Sequence, residues 1–285
     1  MPSGFLNLFR PIVKFIPEAS APDRRVSFSE KLLWTGLALA IYLIMSEIPL
    51  YGIARGPEDP FYYMRVIFAS TRGTLTELGI GPIVTAGLIL QLLAGSEIIT
   101  VDFADPDDRA LFTSANKVFS IIMTIFMASV YILGGAYGQI SLGTSIPLFL
   151  QLISAGLILM LLDELVQKGW GIGSGISLFI IAGVARMIFW DCFSPIPGGD
   201  GKFLGAILAF VQSLLGGGGL LAALHREGNL PDMIGFISTV LVFLIVIYFE
   251  DIRIELPISY ARFRGFRTRY PVKLLYVSNI PVILS

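Results

Sequence analysis

The chain has 285 residues, of which 55% are hydrophobic and only 14% are charged, and its mean hydropathy is +0.78. A soluble globular domain has about 25% charged residues, so this composition excludes an ordinary soluble fold and predicts membrane helices. The net charge of −1 provides no overall basic field for nucleic acid. One cysteine and one histidine exclude an internal disulfide and a cluster of His and Cys metal ligands. We expect no metal and no cofactor.

Residues 1–31 precede the first long apolar run. Arg10, Pro11, Lys14 and Pro17 interrupt the apolar residues of this segment, which is not typical of a cleavable signal peptide. We therefore expect this segment to stay on the cytosolic side, where an amphipathic helix on the membrane surface is one form that it can take.

Six stretches are apolar and close to the 20 or so residues that a helix needs to cross a bilayer core of about 30 Å. They are residues 32–53, 74–95, 118–137, 146–162, 172–190 and 233–249. A seventh apolar stretch begins at Leu274 and has only about a dozen residues before Ser285, too few to span. The predicted fold class is therefore all-α, a polytopic membrane helix bundle truncated within its seventh helix.

Residues 203–224 are also apolar, but four consecutive glycines from Gly216 disfavour a continuous helix there. If this run does not span, most of the 20 Lys and Arg residues fall on one side of the membrane, as the positive-inside rule requires. We therefore predict a five-helix unit over 32–190 and an irregular external loop over 191–232. Residues 233–285 then comprise the sixth span, a basic cytosolic loop and the start of the seventh helix.

The segment DPFYYMRVIFAS, residues 59–70, is apolar but too short to cross, and it contains Arg65. On its own pattern it is either an interfacial linking helix or a segment that folds back into the bundle.

No catalytic or nucleotide-binding motif is found. The glycines of GWGIGSG, residues 169–175, are spaced by two and lack the strand and helix of a dinucleotide site. Phe203 stands after Gly201-Lys202 where a P-loop needs Ser or Thr. The ionisable residues near the spans lie mostly at their ends, where we expect interfacial anchors: Glu47, Glu77, Asp163, Glu164 and Arg186.

Four segments resemble the SecY and eukaryotic Sec translocon alpha subunit family, of the archaeal type. They are KLLWTG (31–36), GTLTELGIGPIVTAGLILQLLAG (73–95), LLDELVQKGWGIGSGISLFI (161–180) and YPVKLLYVSNIPVIL (270–284). The resemblance covers the family's N-terminal half, its sixth helix and the start of its seventh. It implies a SecY-type channel in which two pseudo-symmetric halves enclose an hourglass pore.

The resemblance also implies a pore ring of aliphatic side chains, called the ring residues below: Ile80, Val84, Ile176, Ile180 and Ile283. Two pairs of them are spaced i, i+4, which stacks the side chains on one helix face. Without the resemblance, the same residues would be predicted as ordinary bundle core.

The family's plug, a short helix in the outer funnel, corresponds to residues 59–72, the plug segment, which replaces the prediction of an interfacial helix. Its predicted residues are Phe61, Tyr62, Met64, Arg65, Val66, Ile67 and Phe68. The lateral gate implied by the family has Thr85 at a polar position, whereas Met127 stands where the family usually has glutamine. Lower gate polarity could shift the hydrophobicity that a signal sequence needs.

The basic loop ARFRGFRTRYPVK, residues 261–273, resembles the family's ribosome-docking loop. Arg262 and Arg264 correspond to ribosomal RNA contacts, and Arg267 and Arg269 are candidates on charge alone. Guanidinium groups suit RNA phosphates, although the same arginines could serve only to fix the topology.

The predicted function is passive conduction of secretory polypeptides through the membrane and lateral release of transmembrane segments into lipid. The partners implied are a SecE/gamma-type subunit, a beta-type subunit, the ribosome, signal sequences and nascent chains. The membrane is the plasma membrane for an archaeal protein and that of the endoplasmic reticulum for a eukaryotic one. The alternatives are a secondary transporter, which needs a midplane ion-coupling residue, and an intramembrane enzyme, which needs a reactive cluster that the sequence lacks.

Overall fold

The computed structural model describes residues 11, 16–53, 62–138, 140–199, 201–216, 224–226, 230–259 and 267–275. It contains two compact units, Met1–Ala185 and Arg186–Ser285. The helices of the first unit are α1 Phe28–Glu47, α2 Tyr62–Ile67, α3 Gly81–Gly95, α4 Pro106–Leu133 and α5 Leu142–Leu165. A π-helical turn, Val166–Trp170, extends α5, and α6 Gly175–Phe193 follows.

Polar caps set where the long helices begin. Ser27 and Glu30 form a capping box at the start of α1, in which each side chain bonds the other residue's backbone N–H. Asp105 accepts from the Asp107 N–H at the start of α4. Such caps satisfy N–H groups that have no partner within the helix, which matters most at a membrane boundary.

Helices of the first unit approach closely through small residues. A side-chain carbon added at Gly156 of α5 would lie 2.5 Å from the Thr124 methyl of α4, so only glycine allows this packing distance. Close approach through small residues is the usual means of helix association in lipid. Nearby, the Tyr42 ring of α1 stacks on the Phe179 ring of α6 with centroids 5.0 Å apart.

The second predicted span is shorter than expected. Residues 74–80 are apolar in part but form turns, and α3 begins only at Gly81, with Pro82 in its first turn. The cause is Gly79, whose φ of +54° is outside the helical region. A side-chain carbon there would lie 2.1 Å from the Phe68 carbonyl oxygen.

The segment before α1 is fastened to α4 and to the π-helical turn. The Glu18 carboxylate pairs with Lys168 and, at 3.1 Å, with Lys117; both lysines also pair with buried Glu164. Trp170 donates its indole N–H to the Ser20 carbonyl at 2.7 Å. We call residues 16–22 the N-terminal strap. Hydrogen bonds from Lys168 and then Lys117 hold the pKa of Glu18 below its ordinary value of 4.5.

The second unit contains the end of α6, α7 Ala206–Leu215 and α8 Met233–Asp251, followed by strands β1 Arg253–Ser259 and β2 Arg267–Lys273. The prediction of an irregular stretch over 191–232 is wrong for α7, which is a regular helix of 10 residues. The basic loop after α8 is likewise built on an antiparallel hairpin, in which Arg253 faces Lys273 and Ser259 faces Arg267.

Five of the helices are long and apolar enough to cross a membrane, within the residues that the structure describes. They are Phe28–Glu47, Pro106–Leu133, Leu142–Trp170, Gly175–Phe193 and Met233–Asp251. Five of the six predicted spans therefore have a matching helix of sufficient length, and the predicted fold class, a mostly helical membrane bundle, is confirmed.

Candidate functional site

Four of the five ring residues lie at one apolar cluster. Ile80 is fully buried in it, and Val84, Ile176 and Ile180 pack against it half-buried. Ile80 caps the N-terminus of α3, and its carbonyl accepts from the Val84 N–H at 3.1 Å, so the two are one helical turn apart. Ile283 lies outside the described residues.

The end of the plug segment is bonded to the same cluster. The Ile80 N–H donates to the Phe68 carbonyl at 2.8 Å, and the Tyr42 hydroxyl donates to the Ala69 carbonyl at 3.0 Å. Ala69 is itself a buried member of the cluster. Gly79 permits this approach, since any side chain there would collide with the Phe68 carbonyl. The backbone after α2 is therefore fixed against the residue that begins α3.

A buried ion pair holds the plug segment to the turns before α3. The Arg65 guanidinium lies 2.7 Å from the Glu77 carboxylate, with 12% and 1% of the two side chains exposed. The same carboxylate accepts from the Gly73 N–H, and Ser70 bonds both the Arg65 side chain and the Glu77 carbonyl. A carboxylate with several hydrogen bonds and a partner charge is tolerated away from water. Glu77 is thus a buried structural group, not the interfacial anchor that its sequence position suggests.

The ring residues of α6 are positioned by α5. The Asp163 carboxylate accepts from the Ile176 N–H at 2.9 Å, and its other oxygen accepts from the Gln167 amide at 2.8 Å. Gly175 allows the contact, because a side-chain carbon there would lie 2.7 Å from Asp163. Asp163, predicted as an interfacial anchor, is buried and caps the helix that presents Ile176 and Ile180.

A cavity of about 650 Å³ lies between the plug segment, the start of α3 and the end of α4. Its walls are mostly apolar, with a few polar groups, and its lining includes Arg65, Phe68, Ser70, Arg72, Glu77, Leu78, Gly81, Phe126, Met127, Val130 and Tyr131. Met127, one of the two predicted gate positions, therefore faces the plug segment across this cavity. Thr85, the other, is half-buried and donates its hydroxyl to the Gly81 carbonyl at 2.8 Å.

The predicted plug residues fall on and around a short helix. Tyr62, Met64, Arg65, Val66 and Ile67 belong to α2, and Phe68 follows it. Phe61 lies outside the described residues. The helix has only six residues, consistent with the segment being too short to span.

The predicted ribosome-binding arginines are only partly within the described chain. Arg262 and Arg264 lie outside it. Arg267 and Arg269 occupy β2, where they pair in register with Ser259 and Pro257. Arg267, Arg269 and Lys273 all belong to β2, so three basic residues lie within a strand of seven residues.

Among the described residues, no group of three or more His, Cys, Asp or Glu side chains could hold a metal ion. The charged groups at the site, Arg65, Glu77 and Asp163, are each bonded to a structural partner. The arrangement is that of a multi-pass helical membrane protein in which a short segment is hydrogen-bonded to an apolar cluster.

Comparison with known proteins defines the family. Residues 74–285 match the SecY family model, and residues 41–73 match the model of the plug domain of Sec61p. The chain belongs to the SecY family, which confirms the resemblance drawn from its sequence. The predicted plug segment lies within residues 41–73.

Relatives and solved structures agree with this assignment. The protein transport protein SEC61 subunit alpha of Debaryomyces hansenii is 49% identical over 99% of this chain. A solved protein conducting channel and the Sec61 of a canine ribosome-channel complex from the endoplasmic reticulum are each 41% identical over 96% of the chain, with TM-scores of 0.74 and 0.73. The chain spans 62% of the length of the Debaryomyces hansenii relative and 60% of the length of each of those two structures.

Proposed function

We propose that this chain is the central pore-forming subunit of a Sec protein translocon, which conducts secretory polypeptides passively and releases transmembrane segments sideways into lipid. The observation that supports this most directly is the apolar cluster of Ile80, Val84, Ile176 and Ile180, bonded to the plug segment through the Phe68 and Ala69 carbonyls. In this proposal the cluster is the constriction of the pore, and the plug segment closes it.

An apolar constriction suits this function physically. It resists water and ions by dewetting, and it offers a passing chain no directional bonds. A polypeptide of any sequence then crosses without being held by specific contacts. Since neither the sequence nor the described residues present a reactive cluster, we propose that the protein is not an enzyme and that a partner supplies the energy.

The partners follow from the same proposal. A SecE/gamma-type subunit would clamp the channel and a beta-type subunit would sit beside it. The translating ribosome would contact the basic loop through Arg262 and Arg264, with Arg267 and Arg269 as further contacts. One relative above was solved in a ribosome-channel complex, and an idle yeast Ssh1 complex bound to the 80S ribosome is 33% identical over 94% of this chain, with a TM-score of 0.74.

We propose that the chain lies in the endoplasmic reticulum membrane, because a canine Sec61 structure that is 41% identical comes from that membrane. The distribution of Lys and Arg supports a cytosolic N-terminus and a cytosolic basic loop. Thr85 and Met127 would lie at the lateral gate. Because the Thr85 hydroxyl is already bonded to Gly81 and Met127 has no strong hydrogen-bonding group, this gate would have low polarity.

Site-specific photocrosslinking tests the proposal. A photoreactive residue is placed at Val84 or Ile180 in the full-length channel, which is engaged by a ribosome with a stalled secretory chain. We expect crosslinks to the nascent chain from both positions. Ile181, the same residue type one position further on α6 and 63% exposed, is the matched control and should crosslink to lipid or neighbouring protein. Crosslinks from Val84 and Ile180 only to neighbouring helices, in engaged complexes, would contradict the proposal.

A further inference from the structure

Helix α7 of the second unit has its large and small side chains in an unusual arrangement. Ala206, Ala209 and Ser213 are buried, whereas Leu214 and Leu215 are exposed. At 100° per residue, the three small side chains lie on one face of the helix and the large apolar ones spread over the rest. We call the exposed residues Val211, Leu214 and Leu215 the outer apolar face.

This arrangement is the reverse of what water favours. A helix on the surface of a water-soluble protein turns its large apolar side chains toward the core, because burying them gives the largest hydrophobic stabilisation. In lipid that gain disappears, so small residues pack against protein and large ones face acyl chains. Leu215 is 85% exposed and Ala209 is 1% exposed, which is the lipid pattern.

The position of α7 in its unit is consistent with contact with lipid. A tight hairpin connects the end of α6 to the first residue of α7. In it, the Leu204 N–H donates to the Ile196 carbonyl at 2.7 Å, and the Gly205 N–H donates to the Ser194 carbonyl at 3.0 Å. A side-chain carbon at Gly205 would lie 2.7 Å from the Cys192 carbonyl, so the helix begins directly against the end of α6. α7 also packs against α8.

Both neighbouring spans are themselves apolar and exposed at this point. α8 buries none of its described side chains within the chain. Phe189, Trp190 and Phe193 are exposed at the end of α6, where aromatic residues commonly mark the membrane–water boundary. The exposed apolar surface of α7 is therefore continuous with that of α8 and of the end of α6.

We infer that α7 is an in-plane membrane anchor, with its outer apolar face seated among the lipid acyl chains at the external boundary of the bilayer. Ten residues measure about 15 Å, too short to cross. Gln212 is the only strongly polar side chain of α7 away from the buried face. Its amide oxygen accepts from the Phe203 N–H at 3.0 Å, so this oxygen has a hydrogen-bond partner within the protein. Arg226 ties this anchor to the start of α8 by donating to the Leu204 and Pro231 carbonyls.

Spin labels report directly on the surroundings of this face. Single cysteines at Val211, Leu214 and Leu215 are labelled in the full-length protein in lipid nanodiscs, with Cys192 and any other native cysteine replaced. Power saturation with oxygen, which concentrates in lipid, and with a water-soluble nickel complex then gives the depth of each label. Phe243→Cys, on α8 and exposed, is the lipid reference. Gly199→Cys, exposed with no atom near its added side chain, is the water reference.

We expect the labels at Val211, Leu214 and Leu215 to favour oxygen over the nickel complex, like the lipid reference at Phe243 and unlike the water reference at Gly199. Labels accessible mainly to the nickel complex would place this face in water and overturn the inference. Labels shielded from both reagents would show that protein covers the face, which overturns it in favour of a partner subunit. Because three sites are labelled, the test still works if one variant fails to fold. None of the three sites is among the ring residues.

Discussion

At the scale of single residues, the pair Arg65–Glu77 is the main polar link between the plug segment and the turns before α3. Both side chains are almost fully buried, and the carboxylate also accepts from the Gly73 N–H. Removing one charge of such a pair leaves the other buried without compensation. We therefore expect the loss of one partner to destabilise the fold by more than the attraction between the two charges stabilises it.

We expect Glu77→Gln to lower the free energy of unfolding by about 3 kcal/mol, the cost typical of leaving a buried charge unpaired. Thermal unfolding in detergent measures the loss. Glu97→Gln, the same change at an exposed position, should leave stability unchanged. The double variant Arg65→Met with Glu77→Gln should recover part of the loss, because it removes both charges. Equal stability of Glu77→Gln and Glu97→Gln would contradict the role given to this pair.

A second prediction concerns adjacent isoleucines of α6. Ile180 packs against the apolar cluster, whereas Ile181, 100° further around the helix, is 63% exposed. Ile180→Gly should widen the constriction and raise the resting ion conductance of the full-length channel in planar bilayers, and Ile80→Gly should act likewise. Ile181→Gly has the same intrinsic cost to the helix and should leave conductance unchanged. A rise that is the same for Ile180→Gly and Ile181→Gly would remove Ile180 from the constriction.

At the scale of elements, apolar periodicity and charge predicted most of the helices but not where the second one begins. The sequence of residues 74–80 predicts the start of a span, because most of these residues are uncharged. The structure needs turns there, since Gly79 has a positive φ and Glu77 reaches back to Arg65. Twelve positions separate these two residues, so no local pattern reveals the pair. The ring residues, by contrast, were predicted only through the family resemblance.

The hairpin after α8 illustrates a different limit. Its residues 253–273 include many charges and two prolines, a composition typical of a loop. Strand formation there depends on pairing between β1 and β2, in which Ile254 faces Val272 and Leu256 faces Tyr270. Cross-strand pairs of this kind stabilise a sheet but are not encoded within either strand alone. The composition of this segment therefore does not predict its two strands.

The N-terminal strap is an element whose attachment we expect to depend on pH. Lysine hydrogen bonds lower the pKa of Glu18, so its contribution is present above about pH 4.5, where the free carboxyl ionises, and is lost as pH falls through the lower folded value. The Glu18 side chain is 52% exposed, so the contribution is at most about 1 kcal/mol.

A spin label at Ala21, which is exposed, measures how firmly the strap is held. We expect Glu18→Gln to increase the label's mobility at neutral pH, because the bonds to Lys168 and Lys117 weaken without the charge. Asp23→Asn, a matched change at an exposed position outside the strap, should have no effect. Acidification should bring the parent protein to the mobility of the variant. A strap equally immobile in both variants would mean that Trp170 and the packing of Ile16 suffice to hold it.

At the scale of the whole molecule, the proposed function gives one distribution of charge two roles, one in topology and one in recognition. Arg24 and Arg25 precede α1, and Arg262 and Arg264 belong to the basic loop, so both pairs lie on the predicted cytosolic side. If the arginines only fixed topology, the two pairs would be equivalent. If the basic loop contacts ribosomal RNA, they are not. The proposed function therefore makes a prediction that topology alone does not.

Charge reversal separates these roles. Arg262→Glu with Arg264→Glu should weaken binding of ribosomes to the reconstituted full-length channel, since guanidinium contacts to phosphate are replaced by repulsion. The dependence of binding on salt should fall as well, because fewer counterions are released on association. Arg24→Glu with Arg25→Glu makes the same change in net charge on the same predicted side, at two exposed side chains, and co-sedimentation should show nearly unchanged binding. The antiparallel strands, of seven residues each, extend the hairpin about 20 Å from Arg253 to Ser259. Equal losses in the two double variants would mean that the ribosome senses only the charge of the cytosolic face, and the basic loop would then have no specific role in docking.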